Sequence, residues 1–239
     1  MVGKIHVAVC TRRDLKPEWC LTFGSVLRQA FYLAGLGNVR WGFNFCFPLD
    51  YARNMCVKEA LEWNADYILF LDDDVLPPDD GLLTLFLDAV PIVSGLYFSR
   101  YPPHNPVIFR RKNRNEPWSL DAETEWDAEF TRSYPKNQLV EADVAGLGFM
   151  LVMREVFEKI PEPWFKSTLQ HGEDVYFCWK AQQHGFKVFV DTRVKCLHMA
   201  DLFVGEKSAL RELSKKQRFY SSLVKLFQNE ASNVLENLN

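Results

Sequence analysis

An α/β fold, with a central sheet flanked by helices, is what this sequence predicts, and three observations carry the prediction. Short runs that are apolar at nearly every position recur at residues 5–10 and 67–71, the pattern of strands buried on both faces. Stretches with apolar residues at helical spacing stand between them, and the order strand, helix, strand, helix, strand calls for crossover connections. The length of 239 residues, with 48% apolar against 25% charged, fits one large domain with a substantial core rather than a disordered chain.

The first strand alternates Ile5, Val7 and Val9 with His6, Ala8 and Cys10, so both faces are mostly apolar. Thr11-Arg12-Arg13-Asp14 is a polar break at its carboxyl end. A helix follows over residues 19–34, with Phe23, Val26, Leu27, Ala30 and Phe31 on its apolar side, and Gly35 and Gly37 end it. A second extended stretch, 39–47, leads through Pro48 into a helix over 51–63. There Ala52, Cys56, Ala60 and Trp63 recur at i, i+4, i+8 and i+11 as one buried stripe. The third strand is 67–71, followed by a helix over 82–89 and a strand over 92–97.

Residues 100–137 differ in kind. They hold Pro102, Pro103, Pro106, Pro117 and Pro135, several charges and the isolated aromatics Trp118, Trp126 and Tyr134. An irregular segment of this length reads as a functional loop or lid, mobile until substrate orders it. Strands are expected at 139–144 and 149–153, then a short helix before Pro161 and a helix over 173–183 ending at Gly185. Two further strands are expected at 187–190 and 194–198.

Residues 206–239 carry Leu210, Leu213, Tyr220, Leu223, Val224, Phe227, Val234 and Leu238 at helical spacing, which predicts a C-terminal helical tail. It is expected to dock on the preceding domain or on a second copy of the chain as a homodimer contact. A membrane surface is the lesser alternative, because Lys207, Arg211, Lys215, Lys216, Arg218 and Lys225 form a basic side that Glu206, Glu212, Glu230 and Glu236 dilute.

Composition narrows the partners. A net charge of -3 gives no electrostatic reason to expect nucleic acid. Cys10, Cys20, Cys46, Cys56, Cys178 and Cys196 show no CxxC or zinc-type spacing and mostly lie in apolar runs, as reduced thiols of a cytoplasmic protein would. The first residues lack the pattern of a signal peptide, and no apolar run approaches the ~20 residues that span a bilayer.

Asp72, Asp73 and Asp74 stand at the carboxyl end of the third strand, where α/β sheets place their ligands. Adjacent carboxylates repel one another unless solvent or a cation relieves them. Magnesium and manganese suit such oxygen donors and keep open positions for phosphate. The plainer reading is a solvated turn, continued by Asp79 and Asp80 and stiffened by Pro77-Pro78.

The run Tyr67-Ile68-Leu69-Phe70-Leu71-Asp72-Asp73-Asp74 resembles the hydrophobic strand and Asp-any-Asp motif of GT-A-fold glycosyltransferases, in particular the large inverting family 2-type enzymes. Three further pieces resemble that family in the same order. They are Ala52-Arg53-Asn54 on the preceding helix, Gly148-Phe149-Met150-Leu151-Val152-Met153-Arg154 entering the acceptor half, and His171-Gly172-Glu173-Asp174 opening a helix with Trp179. The similarity runs from about Ile5 to His198. The first strand departs from it, since many members carry Pro-any-Tyr-Asn where Thr11-Arg12-Arg13-Asp14 stands here.

The resemblance implies a GT-A-like, Rossmann-type mixed sheet spanning residues 1–205, with a nucleotide-binding half at 1–99 and an acceptor half at 100–205 that includes the loop 100–137. It implies transfer of a sugar from a nucleotide-sugar donor, UDP- or GDP-linked, to a carbohydrate or other hydroxyl acceptor, with a manganese or magnesium cofactor. Asp74 is then the direct metal ligand, joined by Asp72 and His198. Asp72 and Asp73, with Arg53 and Asn54, hold the nucleotide; Thr11 and Arg13 are candidates by their own position after the first strand, as donors to the base or diphosphate. Asp174 is the general base of an inverting displacement and Glu173 its fallback, the likelier role of Glu173 being to orient hydroxyls. Gly148, Trp118 and Trp164 are candidates for the sugar or acceptor. Each residue also has a structural reading: a capping role for Glu173 and Asp174, a solvated face for Arg53 and Asn54, a core position for the aromatics.

Competing classes fit less well. A sugar-phosphate nucleotidyltransferase carries a glycine-rich basic loop after the first strand, and a haloacid-dehalogenase phosphatase has its Asp-any-Asp there. A non-catalytic carbohydrate-binding relative need not keep Asp74, Glu173, Asp174 and His198 together.

Overall fold

The computed structural model describes residues 2–11, 14–45, 48–101 and 104–199. The tail at 206–239, with its docking, dimer and membrane readings, and Arg13 lie outside the described residues. No helix among the described residues is long and apolar enough to cross a membrane.

Seven strands form one sheet. The first three are parallel: β1 (Ile5–Cys10) pairs on one side with β2 (Val39–Asn44) and on the other with β3 (Tyr67–Asp72). Helices α1 (Pro17–Ala34) and α2 (Leu49–Glu62) make the two crossovers. β3 runs into a turn and the short β4 (Val75–Leu76), followed by α3 (Gly81–Leu87) and β5 (Ile92–Leu96).

The apolar phase of β1 and β3 explains why their sequences do not alternate with polar residues. Ile68 and Phe70 pack with Ala52, Cys56, Val57 and Ala60 of α2, while Leu69 and Leu71 pack with Trp19, Val26 and Ala30 of α1 and Leu82 and Leu85 of α3. Successive side chains point to opposite faces, and helices cover both. At the edge, β2 is partly exposed along its length.

Beyond β5 the chain forms β6 (Ile108–Phe109), α4 (Ala128–Arg132), β7 (Leu139–Ala142), β8 (Val144–Ala145) and β9 (Phe149–Met153). Next come α5 (Arg154–Lys159), α6 (Glu173–Gln183), β10 (Val188–Lys195) and β11 (Leu197–His198). The main sheet has the order β2-β1-β3-β9-β5-β10-β7. β9 lies antiparallel between β3 and β5, and β7 closes the far edge antiparallel to β10. The sheet is therefore mixed: β5 and β10 form a second parallel pair, and the parallel strands β2-β1-β3 are the ones that end in the acidic triplet.

Two expectations change. The strands expected at 187–190 and 194–198 are one strand, β10, whose pairing with β5 shifts register between Asp191 and Lys195, followed by the separate two-residue β11. The described part of segment 100–137 is not irregular throughout. Ile108, Trp118 and Phe130 belong to the same buried cluster as α2 and α6, and Trp126 packs against it. The Trp179 indole donates to the Trp118 carbonyl at 2.8 Å, and the Arg110 guanidinium lies 3.7 Å from the Phe130 ring centroid. Trp118, Trp126 and Phe130 are anchors, burying apolar area that a polar chain needs to hold position.

Candidate functional site

The triplet is built by a turn between two pairings. β3 ends at Asp72, Asp73 and Asp74 form the turn, and β4 then pairs antiparallel with β11, setting Val75 opposite His198. The Met199 amide donates to the Asp74 carbonyl at 2.7 Å and tightens this ribbon. Two chain segments far apart in sequence thus bring Asp74 and His198 together. His198 Nε2 lies 3.4 Å from one carboxylate oxygen of Asp74, and Nδ1 meets the Phe98 carbonyl at 2.7 Å. Burial pushes the imidazole toward its neutral form, but hydrogen bonds to Asp74 and to Phe98 outweigh it and raise the His198 pKa above its ordinary value.

Asp72 has a different partner. Arg53, fully buried on α2, sends one terminal nitrogen to both Asp72 oxygens at 3.0 and 3.1 Å, and its Nε to Glu173 at 3.1 Å. Burial disfavours the guanidinium charge, yet Asp72 and Glu173 hold its pKa well above the ordinary value. Asp72 is raised, by burial first and by the charge of Asp74, against the pull of Arg53. Asp73 accepts the Thr11 hydroxyl at 2.6 Å, which orients it at the end of β1.

Across the site, α6 begins with Gly172 at its N-cap and Glu173 and Asp174 in its first turn, where carboxylates complement the helix dipole. Glu173 is fixed by Arg53. Asp174 makes no ion pair among the described residues. Its Oδ1 accepts its neighbour's amide, from Val175 at 2.8 Å, and burial followed by the charge of Glu173 lifts its pKa to about 6. A cleft of about 450 Å³, a size suited to a nucleotide-scale ligand, is lined by Cys10, Leu49, Asp72, Asp73, Asp74, Arg100 and Tyr101.

Several sequence candidates have structural partners. Asn54 donates to the carbonyls of Asp50 and Phe165 and accepts from the amides of Trp164 and Phe165. All its bonding capacity goes to backbone, so it clamps the loop before α6 and has none left for a nucleotide. Arg53 is not on a solvated face; it is the buried link between Asp72 and Glu173. Trp164 is buried, its indole donating to the carbonyls of Phe157 and Ile160, and Trp118 is buried against Trp126 and Arg111. Neither presents a free ring face to a sugar.

Gly148 is buried as well. A Cβ there would stand 2.7 Å from Val75 Cγ2 and 3.0 Å from the Tyr97 ring, and its carbonyl accepts the Asp72 amide at 2.9 Å. Its close approach to β4 and Tyr97 seats the acidic turn.

Sequence reasoning missed Arg100 and Tyr101. Arg100 pairs with the second Asp74 oxygen at 2.6 Å, and Tyr101 is exposed on the cleft rim. Both follow β5 in a polar break at a strand's carboxyl end, the same signal that singled out the triplet. They were hidden by being read as the start of a loop.

A cation is implied by the Asp-any-Asp resemblance, and the donor set admits one of a limited kind. Among the described residues no group of three or more His, Cys, Asp and Glu is arranged to hold a metal ion by itself. Asp74 and His198 face one another as one carboxylate and one imidazole, a pair that suits manganese or magnesium when water and ligand oxygens complete the shell. Asp72, with both oxygens on Arg53, is the weaker candidate of the three.

No family model and no curated protein matches the chain. Solved structures do. A197 from STIV superposes with a TM-score of 0.56 at 18% identity, over 84% of this chain and 87% of that one. GalNAc-T7, solved with UDP, GalNAc and Mn2+, gives 0.56 at 13% identity over 84% of this chain, which spans 44% of the larger GalNAc-T7 chain. The catalytic domain of Drosophila β1,4-galactosyltransferase 7, solved with xylobiose, gives 0.50 at 17% identity over 84% of this chain and 72% of that one. At such identities the likeness concerns the fold: this chain has a GT-A-like mixed α/β sheet, the architecture of known glycosyltransferases.

Proposed function

We propose that the protein is a glycosyltransferase that moves a sugar from a nucleoside-diphosphate sugar to an acceptor hydroxyl with inversion, using a divalent cation. The observation that carries the reading is the meeting of Asp74 and His198 at the carboxyl end of the parallel strands, beside a cleft lined by the whole triplet. The fold shared with glycosyltransferases supports it, one of them solved with UDP and Mn2+.

In this reading Asp74 and His198 hold manganese or magnesium, which when bound neutralises the departing diphosphate. Asp73, oriented by Thr11, faces the ribose of a UDP or GDP moiety, with Arg13 a further candidate for the nucleotide. Arg53 fixes Asp72 and Glu173 relative to one another. Asp174 takes the proton of the acceptor hydroxyl as that oxygen attacks opposite the leaving group. A carboxylate with a pKa near 6 is largely ionised at neutral pH yet a stronger base than an ordinary aspartate. With Trp118 and Trp164 committed to the core, Tyr101 on the rim is the aromatic surface open to a sugar ring.

The test is a panel of UDP- and GDP-sugars incubated with manganese, followed by release of free nucleoside diphosphate and by NMR of the product. Diphosphate release from one donor, with a product of inverted anomeric configuration, is expected. No release from any donor in the presence of metal would remove the transferase reading, and retention would remove the base role from Asp174.

A further inference from the structure

Both oxygens of Asp74 are engaged, and by chemically different partners. His198 faces one at 3.4 Å, while the Arg100 guanidinium sits 2.6 Å from the other. An imidazole can share a carboxylate with a metal ion as a fellow ligand. A guanidinium cannot: it has no lone pair to offer and brings a positive charge to the position a cation takes. Arg100 is also not locked in the core, since a third of its side chain is exposed, whereas Asp74 is nearly buried. It lines the cleft from the segment after β5, next to Tyr101.

From this we infer that Arg100 is an exchangeable occupant of the cation seat. It neutralises Asp74 while no metal is bound, is displaced when the cation binds, and then turns its charge on the diphosphate in the same cleft. The inference rests on the proposed use of a cation and a diphosphate at this site and assigns a positioning residue to it. The exchange has two consequences of opposite sign. Breaking the Arg100–Asp74 pair is a cost on binding the metal alone. The freed guanidinium, whose planar fork matches phosphate oxygens, is a gain once a diphosphate is present. The pair would thus favour joint arrival of cation and diphosphate over the cation alone.

The experiment measures Mn2+ alone, and then pyrophosphate in saturating Mn2+, by titration calorimetry on the whole protein and on Arg100→Gln and Arg100→Lys. Arg100→Gln is expected to bind Mn2+ about tenfold more tightly, the equivalent of about 1.4 kcal/mol, and pyrophosphate about tenfold more weakly. Arg100→Lys is expected to keep Mn2+ affinity near the parent, because an ammonium also neutralises Asp74, and to bind pyrophosphate less tightly than the parent but more tightly than Arg100→Gln, because a point charge lacks the fork. A variant that had merely lost structure would weaken both ligands, and that result overturns the inference. Unchanged Mn2+ affinity in Arg100→Gln overturns it too, as does unchanged pyrophosphate affinity. Absence of Mn2+ binding in both parent and variants overturns the inference together with the metal part of the proposed function. Equal Mn2+ binding in all three proteins overturns the exchange while leaving the proposed function standing.

Discussion

Two clusters in this molecule have the same composition, one arginine between two carboxylates, and opposite arrangements. At the acidic triplet, Arg53 is 3% exposed while its partners Asp72 and Glu173 are 23% and 14% exposed. At the far side of β5, Arg193 is 47% exposed and covers Asp88 and Asp191, which are 4% and 0% exposed. The first cluster buries the cation and turns the acids outward; the second buries the acids and caps them with the cation. Raised pKa values do not tell them apart. Asp88 is lifted to about 6 by burial and by the neighbouring Asp191, much as Asp174 is lifted to about 6 by burial and by Glu173. What distinguishes a site that can work on a ligand is which charge it presents to solvent, and only the Arg53 cluster presents carboxylates.

The comparison is most sharply tested by activity. Asp174→Asn is expected to lower turnover by the ~10²–10⁴-fold typical of lost acid–base catalysis, with diphosphate affinity nearly unchanged. Asp88→Asn, at a carboxyl with the same raised pKa, is expected to leave turnover alone. In the parent, Asp174 must be ionised to accept the proton, so the rate should be flat above about pH 6 and fall roughly tenfold per unit below it. A profile without that acid limb, measured as kcat/KM, would detach Asp174 from the chemistry.

Stability separates the clusters next. Arg53→Gln leaves Asp72 and Glu173 without their shared cation in a largely buried setting, and should cost about 3–5 kcal/mol in chemical denaturation. Arg193→Gln also leaves buried acids without their cation, but Asp88, already lifted to about 6, takes up a proton at pH 7 for about 1.4 kcal/mol, so the loss should be less, about 1–2 kcal/mol. Equal losses would mean that the direction of burial carries no energetic weight.

His6 offers a control, a buried base with no acid at all. Neither ring nitrogen has a hydrogen-bond partner among the described residues, and burial, with a smaller effect of Arg40, lowers its pKa from 6.5 to about 4. Above pH 6.5 the imidazole is neutral folded or unfolded and contributes nothing to the pH dependence. Below it the unfolded chain takes up a proton that the folded one refuses. Stability should therefore fall between about pH 6.5 and 4, by up to about 3 kcal/mol. His6→Phe, which keeps a ring there and cannot titrate, should flatten this part of the denaturation profile; an unchanged slope would assign the acid loss elsewhere.

The parallel part of the fold was legible because its residues obey one local rule each. Ile5–Cys10 and Tyr67–Leu71 are apolar in both phases since helices cover both faces, and Ala52, Cys56 and Ala60 form one stripe. The triplet was legible for a related reason, being a polar break at a buried strand's end. What sequence hid depends on partners distant in the chain. Arg53 reads as a nucleotide contact or a solvated helix position until Asp72 and Glu173 close on it, 19 and 120 residues away. Asn54 reads as a ligand contact until the backbone near Trp164 takes its amide, and Trp118 as a loop aromatic until Trp179 and Trp126 cover it. The placement of β9 between β3 and β5 has no local signature, because an apolar run such as Phe149–Met153 does not encode which strands flank it or in which direction.

The central claim is that Asp74 and His198 hold a cation for a nucleoside diphosphate. Its most direct test is calorimetry of UDP and GDP binding to the whole protein, with manganese and with chelator, on the parent and on Asp74→Asn. The account predicts that one of the two nucleotides binds at least tenfold more tightly with manganese, and that Asp74→Asn abolishes the difference. Nucleotide affinity that is the same with chelator as with manganese in the parent would contradict it.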